Sequence, residues 1–496
     1  MRRKIQIGIV LLLALTAYSC DDSYLNTVPT DQYNEANWWQ TESQAISSIN
    51  GVYAVLRNSQ ISAIQQLREE NMTPNSYSMG GDSPLDIGAH NPGNVTRFRD
   101  KWNACYSGIG RANYFLDNVD KVPMDAALIQ RLKAEAHFLR AFFYANLVHY
   151  FGGVPLILEA PDFATQGDLP RTSREKVIDQ VLLDLDHAAS VLPTSYTAPG
   201  RATQGAALAL KTRVLLYESR WAEAAAAAQD VIDLNQYDLF PDYRGLFLLE
   251  NENNEEVIFD VQYQAPEYTH GLDVIIELQI NVAPTKDLVD SYLMKDGLSI
   301  QESPQYDPAS PYENRDPRLH QTIVIPGHMY RGGIVSDTKY FSTGFGFKKY
   351  TTYLDDVAQP SILQSEINII LLRYADILLM YAEAQNEAAG PDESVYQALN
   401  QVRSRAGMPV YPAGLTQDQM REMIRQERRV ELALEGLYLH DIRRWRIAED
   451  VMNANALNRQ GEVVQVRSFN PARDYLWPIH EITIQENPAL EQNPGY

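Results

Sequence analysis

The sequence predicts a mainly α-helical protein of paired helices, with an irregular subdomain containing short strands inserted between them. Three observations carry this expectation. Residues 126–150 place Leu128, Leu132, Ala136, Leu139, Phe143 and Leu147 on one stripe at helical spacing. Two further helical stretches, 203–218 and 221–234, are joined only by Ser219-Arg220, which predicts an antiparallel pair. From 235 to 370 the rhythm breaks, and proline, glycine and tyrosine gather in turns around short strand-like runs.

The chain opens with Arg2, Arg3 and Lys4, then the apolar run Ile7 to Leu15, then Ala17-Tyr18-Ser19-Cys20. About ten apolar residues cannot span a bilayer, which needs about twenty, so 1–19 reads as a processed signal peptide. A cysteine directly after small residues makes it a lipoprotein signal, because the thiol can take a diacylglyceryl group. Cys20 is the predicted lipidation site. The alternative is a secreted protein cut near Ser19, and Ala17 stands where leucine is usual. Residues 20–40 are the lipidated N-terminus and an acidic, extended tether.

Residues 41–234 are predicted to form a helical scaffold. Its first helix, about 42–57, carries Ala45, Ile49, Val52 and Leu56 at helical spacing. A long polar loop, 71–102, follows; Asn71 to Tyr77 and Gly80 to Pro84 are turn-rich, and such loops in compact domains are usually functional. The 126–150 helix stops at Gly152-Gly153 and Pro155. A helix near 173–192 has Thr172 or Ser173 as cap and Pro193 as stop. In the 203–234 pair, Trp221 with Ala224, Ala225 and Ala228 puts small residues where two helices meet. That arrangement resembles the helical hairpin of tetratricopeptide repeats, so the scaffold is expected to be tetratricopeptide-like. Residues 235–368 form the irregular insert, with strand-like runs at 256–262 and 321–325. Helices resume at 369–389, 392–406 and 416–446, inside a 369–496 segment whose tail from Asp474 is extended.

The formal charge is −22, and loss of Arg2, Arg3 and Lys4 makes it about −25. Such a field repels phosphate backbones and anionic lipid, which argues against nucleic acid and leaves membrane attachment to the lipid on Cys20. Cys105 is the only other cysteine, so no internal disulfide is available once Cys20 is lipidated, and Cys105 is expected to be a buried small apolar group. The 29 tyrosines include several in polar surroundings, such as Tyr263, Tyr268, Tyr306, Tyr312 and Tyr330. Exposed rings with a polar tip suit sugars and peptides alike.

Several ordered motifs resemble the SusD/RagB family of outer-membrane nutrient-binding lipoproteins. They are the tether Cys20 to Pro29; Phe138-Leu-Arg-Ala141 with Tyr150-Phe-Gly-Gly-Val-Pro-Leu156; Arg315-Asp-Pro-Arg318 with Lys348-Lys349; Leu372 to Ala384; Glu427-Arg428, Glu431, Glu435-Gly436 and Asp441-Ile-Arg-Arg-Trp445; and the close from Leu476-Trp-Pro-Ile479 to Tyr496. One departure is Tyr438, where the family usually has arginine. The resemblance implies a surface-facing lipoprotein capping a SusC-like TonB-dependent transporter, capturing oligosaccharides, or peptides in some members. It implies no cofactor and no catalysis.

Glu427, Glu431 and Glu435 lie four residues apart, on one helix face. A glycoside hydrolase would need a carboxyl pair across a sugar. The reading favoured here is structural, with the glutamates paired to Arg428, Arg443 and Arg444. No nucleophile elbow, zinc-binding His-Glu-x-x-His or phosphate-binding glycine loop is present. His137 and His149 sit on the 126–150 helix as packing or surface groups, and Asp355-Asp356 could hold a structural calcium ion or be a solvated turn. Ligand contacts are expected from Asn75, Tyr77, Asp82, Asn91, Arg97 and Trp102 of the polar loop and Tyr268, His270 and Tyr330 of the insert. The rivals to a glycan-binding protein are a peptide-binding one, a hydrolase using the glutamates, and a helical-repeat adaptor without a small ligand.

Overall fold

The computed structural model describes residues 38–78 and 83–496. The signal peptide, Cys20 and Asp82 lie outside the described residues, as does all but the end of the tether.

Among the described residues, seven helices longer than one turn come first: α1 (Glu42–Tyr53), α2 (Ile64–Asn71), α3 (Arg97–Asn118), α4 (Ala126–Phe151), α5 (Arg174–Val191), α6 (Gln204–Tyr217) and α7 (Trp221–Asp233). Their starts follow the side chains available. The Thr41 hydroxyl and Gln44 amide form a reciprocal capping box, while Asp125, Ser173 and Thr203 each accept one first-turn backbone N–H that has no partner within the helix. Ser219, at φ +57°, turns the chain between α6 and α7. From α3 to α7 each helix packs on the next, an antiparallel stack of helical hairpins. Contact between α3 and α4 is close because Gly108 has no side chain: a Cβ there would lie 2.2 Å from the Phe143 ring. Along α4 the predicted stripe is buried from Leu132 onward, with Leu128 half-buried. Cys105 is fully buried in α3, and burial pushes its thiol up to about 11.

The stack continues across the insert. Helix α10 (Tyr374–Ala389) packs on α7, although about 140 residues separate their ends, and carries α11 (Glu393–Arg405) and α12 (Gln417–Glu431) on its other sides. The insert therefore leaves and rejoins the scaffold at one place. Its base is an antiparallel pair, β2 (Val257–Val261) with β8 (Ile369–Arg373), in which Val257 faces Arg373 and Val261 faces Ile369. Residues 369–373 were expected to open a helix; the partner strand claims the backbone of Ile369 and Ile370, and the helix begins only at Tyr374.

Two other expectations are corrected. The predicted helix 416–446 is α12 followed by α13 (Tyr438–Arg444), broken where Leu434 and Gly436 take φ of +65° and +75°. At Gly436 a Cβ would sit 2.2 Å from Glu69, so no side chain fits. Beyond a short helix, α8 (Lys286–Ser291), the strand-like run 321–325 is the end of α9 (Pro317–Thr322) and a two-residue strand, β4 (Ile323–Val324), paired with β7 (Gly346–Phe347). The C-terminal tail folds back onto α3 and α4: Trp477 is fully buried against Phe98, Tyr150 and Phe151, with ring centroids 5.3, 4.1 and 5.9 Å away. Among the described residues no helix is long and apolar enough to cross a membrane.

Candidate ligand-binding face

The insert is fixed to the C-terminal helices by a buried ionic network. Glu431, fully buried at the end of α12, accepts from Arg318 at 2.8 Å, from Arg373 at 2.7 Å and from Arg405. Glu427 takes Arg318 at 2.6 Å and Arg403 at 2.8 Å; Glu435 takes Arg373 and Lys349, each at 2.7 Å. Burial alone would raise the Glu431 carboxyl, but Arg405, Arg373 and Arg318 outweigh it and hold the group far below the usual carboxylate range. The three glutamates are structural, as expected, but their partners differ from those expected. Arg428 binds Asp376 and Asp441, Arg444 binds Glu383 and Asp441, and Arg443 reaches none of the three.

On this base the polar loop and the insert are joined directly. Strand β1 (Ser76–Tyr77) pairs with β3 (Ala283–Pro284), Thr285 donates its hydroxyl to the Pro74 carbonyl at 2.6 Å, and its N–H to that of Asn75 at 3.0 Å. Arg467, from the C-terminal tail, caps the Thr73 and Ser76 carbonyls. Asn75 is the rivet of this junction. Its amide donates to Glu70 at 2.7 Å and its oxygen accepts from Arg429 at 2.9 Å, with no surface exposed. Burial pushes the Glu70 carboxyl up to about 7. Where the family usually has arginine, Tyr438 places its ring under Arg429, 5.0 Å away.

Three of the predicted contacts are therefore corrected. Asn75 is consumed internally. Trp102, 7% exposed, packs on Tyr106 and Phe151 as a core residue of α3. Tyr330, 3% exposed, belongs to a small aromatic core with Tyr340 and Tyr353. Tyr263, also expected at the surface, is buried with its ring edge-on to His270. Asn91 is exposed, but its oxygen accepts from Gly93 and shapes a turn. Arg97, half-buried at the start of α3, is pulled down to about 10 by burial. Tyr77 and His270 are half-buried; His270 shares a 2.8 Å hydrogen bond with the Ile367 carbonyl, which fixes its ring. Tyr268 is the predicted aromatic that reaches solvent: half of it is exposed and Arg57 covers one face at 4.1 Å.

The sequence reading missed what surrounds these groups. A hairpin of β5 (Met329–Tyr330) and β6 (Gly333–Ile334) turns at Arg331 and Gly332, both at positive φ, as a two-residue hairpin demands. Its turn is held from below. Arg331 lies over the Tyr353 ring at 4.1 Å and reaches Glu277 at 3.1 Å; Lys339 and the Tyr340 hydroxyl also converge on Glu277. Above this rigid base Met329, Ile334 and Phe341 stay exposed. The abundance of tyrosine hinted at the cluster, but nothing local marked Glu277 as its organiser. Asp355 is engaged by Lys348 at 2.6 Å, and among the described residues no group of His, Cys, Asp or Glu side chains is disposed to hold a metal ion.

The insert, the loop and the helical stack have known counterparts. A sequence model of the SusD family matches residues 255–496, and one described as starch-binding, associating with outer membrane, matches 23–216. SusD-like protein P2 of Formosa agariphila is 27% identical over the full length of both chains. A SusD-like carbohydrate-binding protein from Bacteroides fragilis superposes with a TM-score of 0.83 at 27% identity, covering 92% of this chain and all of that one. A laminarin-binding SusD-like protein superposes with a TM-score of 0.71 at 26% identity, over 92% of this chain and all of the other. With both halves of the sequence matched and the helical stack with its strand-bearing insert shared, the chain belongs to the SusD-like family.

Proposed function

We propose that this protein is a surface glycan-binding lipoprotein, held at the outer membrane by lipid on Cys20, that passes oligosaccharides to a partner TonB-dependent transporter. The observation that carries the reading is the junction of polar loop and insert into one braced surface beside a relative that binds laminarin. A sugar offers an apolar ring face and a fringe of hydroxyls. Tyr268, backed by Arg57, supplies a ring for stacking, while Tyr77, Asn91 and His270 supply polar groups on the same two segments. The outer-membrane association of the matched family description supports the location.

The state of the acids supports binding rather than conversion. A glycosidase needs one carboxyl raised enough to donate a proton and a second within reach across the sugar. Glu431 is buried and held low by Arg405, Arg373 and Arg318, and Glu435 by Arg373 and Lys349, which argues against either as that acid. Titration calorimetry of the mature protein against neutral oligosaccharides, acidic oligosaccharides and peptides tests the proposal. Saturable heat with a glycan and no release of reducing sugar is expected; affinity for peptides alone would overturn it.

A further inference from the structure

Where the C-terminal end of α4, the start of α5 and helix α13 meet, a cavity of about 470 Å³ is lined by arginine to an extent at odds with the net charge of −22. It lies outside the loop–insert face. Of its five arginines, three are committed. Arg171 is spent on the Phe151, Gly153 and Glu491 carbonyls, Arg174 forks onto Glu218, and Arg444 onto Glu383 and Asp441. The other two are not. Arg443 has Nε and Nη1 buried without a hydrogen-bond partner, and Arg446 has no carboxylate within ion-pair distance among the described residues, lying instead over Tyr475 at 4.2 Å.

Two neutral groups complete the lining. The Tyr217 hydroxyl and His149 Nε2 are also buried and unpartnered, with the two rings 4.7 Å apart. Burial and the nearby Arg174 hold His149 well below its usual pKa, so it is neutral and can donate or accept one hydrogen bond. Burial pulls Arg443 down to about 10, and the acid nearest in effect, Asp474, is already bonded to Arg473 at 2.5 Å. A guanidinium whose buried N–H groups lack partners is costly, and such charged donors suit a sulfate, phosphate or carboxylate oxygen.

We propose that this cavity is an oxyanion-binding site, with Arg443 as the principal donor, Arg446 as the outer cation and Tyr217 and His149 as secondary hydrogen-bonding groups. Its ligand is a tetrahedral or carboxylate oxyanion, either free or borne by a saccharide as a sulfate ester or uronate. The site does not depend on what the insert binds.

Thermal unfolding and calorimetry of the mature protein test it, with sodium sulfate or phosphate against sodium chloride at equal ionic strength, then with sulfated and uronate oligosaccharides. Sulfate or phosphate is expected to raise Tm, and Arg443→Gln to abolish that rise while leaving the unliganded Tm equal or higher. Arg446→Gln, at an exposed position, should weaken binding at least about threefold, and the surface control Lys211→Gln should change nothing. Oligosaccharide affinity at least about tenfold above that of the inorganic ion assigns the anion to a saccharide; the reverse assigns it to the free ion. An equal response of wild type and Arg443→Gln to every anion would overturn the proposal.

Discussion

Arg373 and Glu435 meet in a two-pronged fork, Nε to Oε2 at 2.8 Å and Nη2 to Oε1 at 2.7 Å, with neither side chain open to solvent by more than a few percent. The arginine ends the strand that closes the insert; the glutamate lies in the break between α12 and α13. This ion pair, within the wider buried network, ties the base of the insert to the scaffold.

Replacing Arg373 with Met should therefore be severe. It strips one cation each from Glu256, Glu431 and Glu435, and removing one member of a buried ion pair costs roughly 3–5 kcal/mol. Urea unfolding should show that loss. By contrast, Arg459→Gln, whose partner Asp337 is largely exposed, should change stability by under about 1 kcal/mol.

Glu70 gives a pH prediction with a definite sign. Its folded pKa, about 7, lies above that of an unfolded glutamate, so between the two the folded chain holds the extra proton. Its contribution to stability is present at low pH and is lost as pH rises through 7. Glu70→Gln removes that dependence. The fall in unfolding free energy from pH 5 to pH 8 should be smaller in the variant than in wild type by about 3 kcal/mol, read from urea curves at both pH values. An unchanged difference would show that the carboxyl is ionised throughout.

Gly108→Ala tests the helix stack. The added methyl would fall inside the Phe143 ring, so α3 and α4 must separate. Overpacking of this kind costs typically about 1–3 kcal/mol, seen as a lower Tm with helical circular dichroism retained.

Cys20→Ser tests attachment. A net charge of −22 disfavours docking on anionic lipid, and among the described residues no helix is long and apolar enough to cross a membrane. The variant should move from the membrane to the soluble fraction on cell fractionation.

The scaffold was legible because its signals are local: the α4 stripe, the caps Thr41, Asp125, Ser173 and Thr203, and the small residues of α7 all act within a few turns. The errors share one cause. Ile369 to Arg373 becomes a strand because Val257 to Val261, more than a hundred residues earlier, pairs with it. Asn75 has the composition of a ligand contact, but Arg429, 354 residues away, turns it inward. Adjacent Arg443 and Arg444 look alike in the sequence, and only the fold gives one of them Glu383 and leaves the other unpaired. Residue type in a loop marks polar chemistry; long-range pairing decides whether that chemistry faces ligand or protein.

In the proposed function the braced face of loop and insert binds glycan through Tyr268. Calorimetric titration of neutral oligosaccharides into wild type and Tyr268→Ala tests it most directly. If stacking on a sugar is of the order of an aromatic pair, about 0.5–1.5 kcal/mol, the variant should bind about two- to tenfold more weakly at unchanged Tm. Equal affinity in the two proteins, or no heat from any glycan with wild type, would contradict the account.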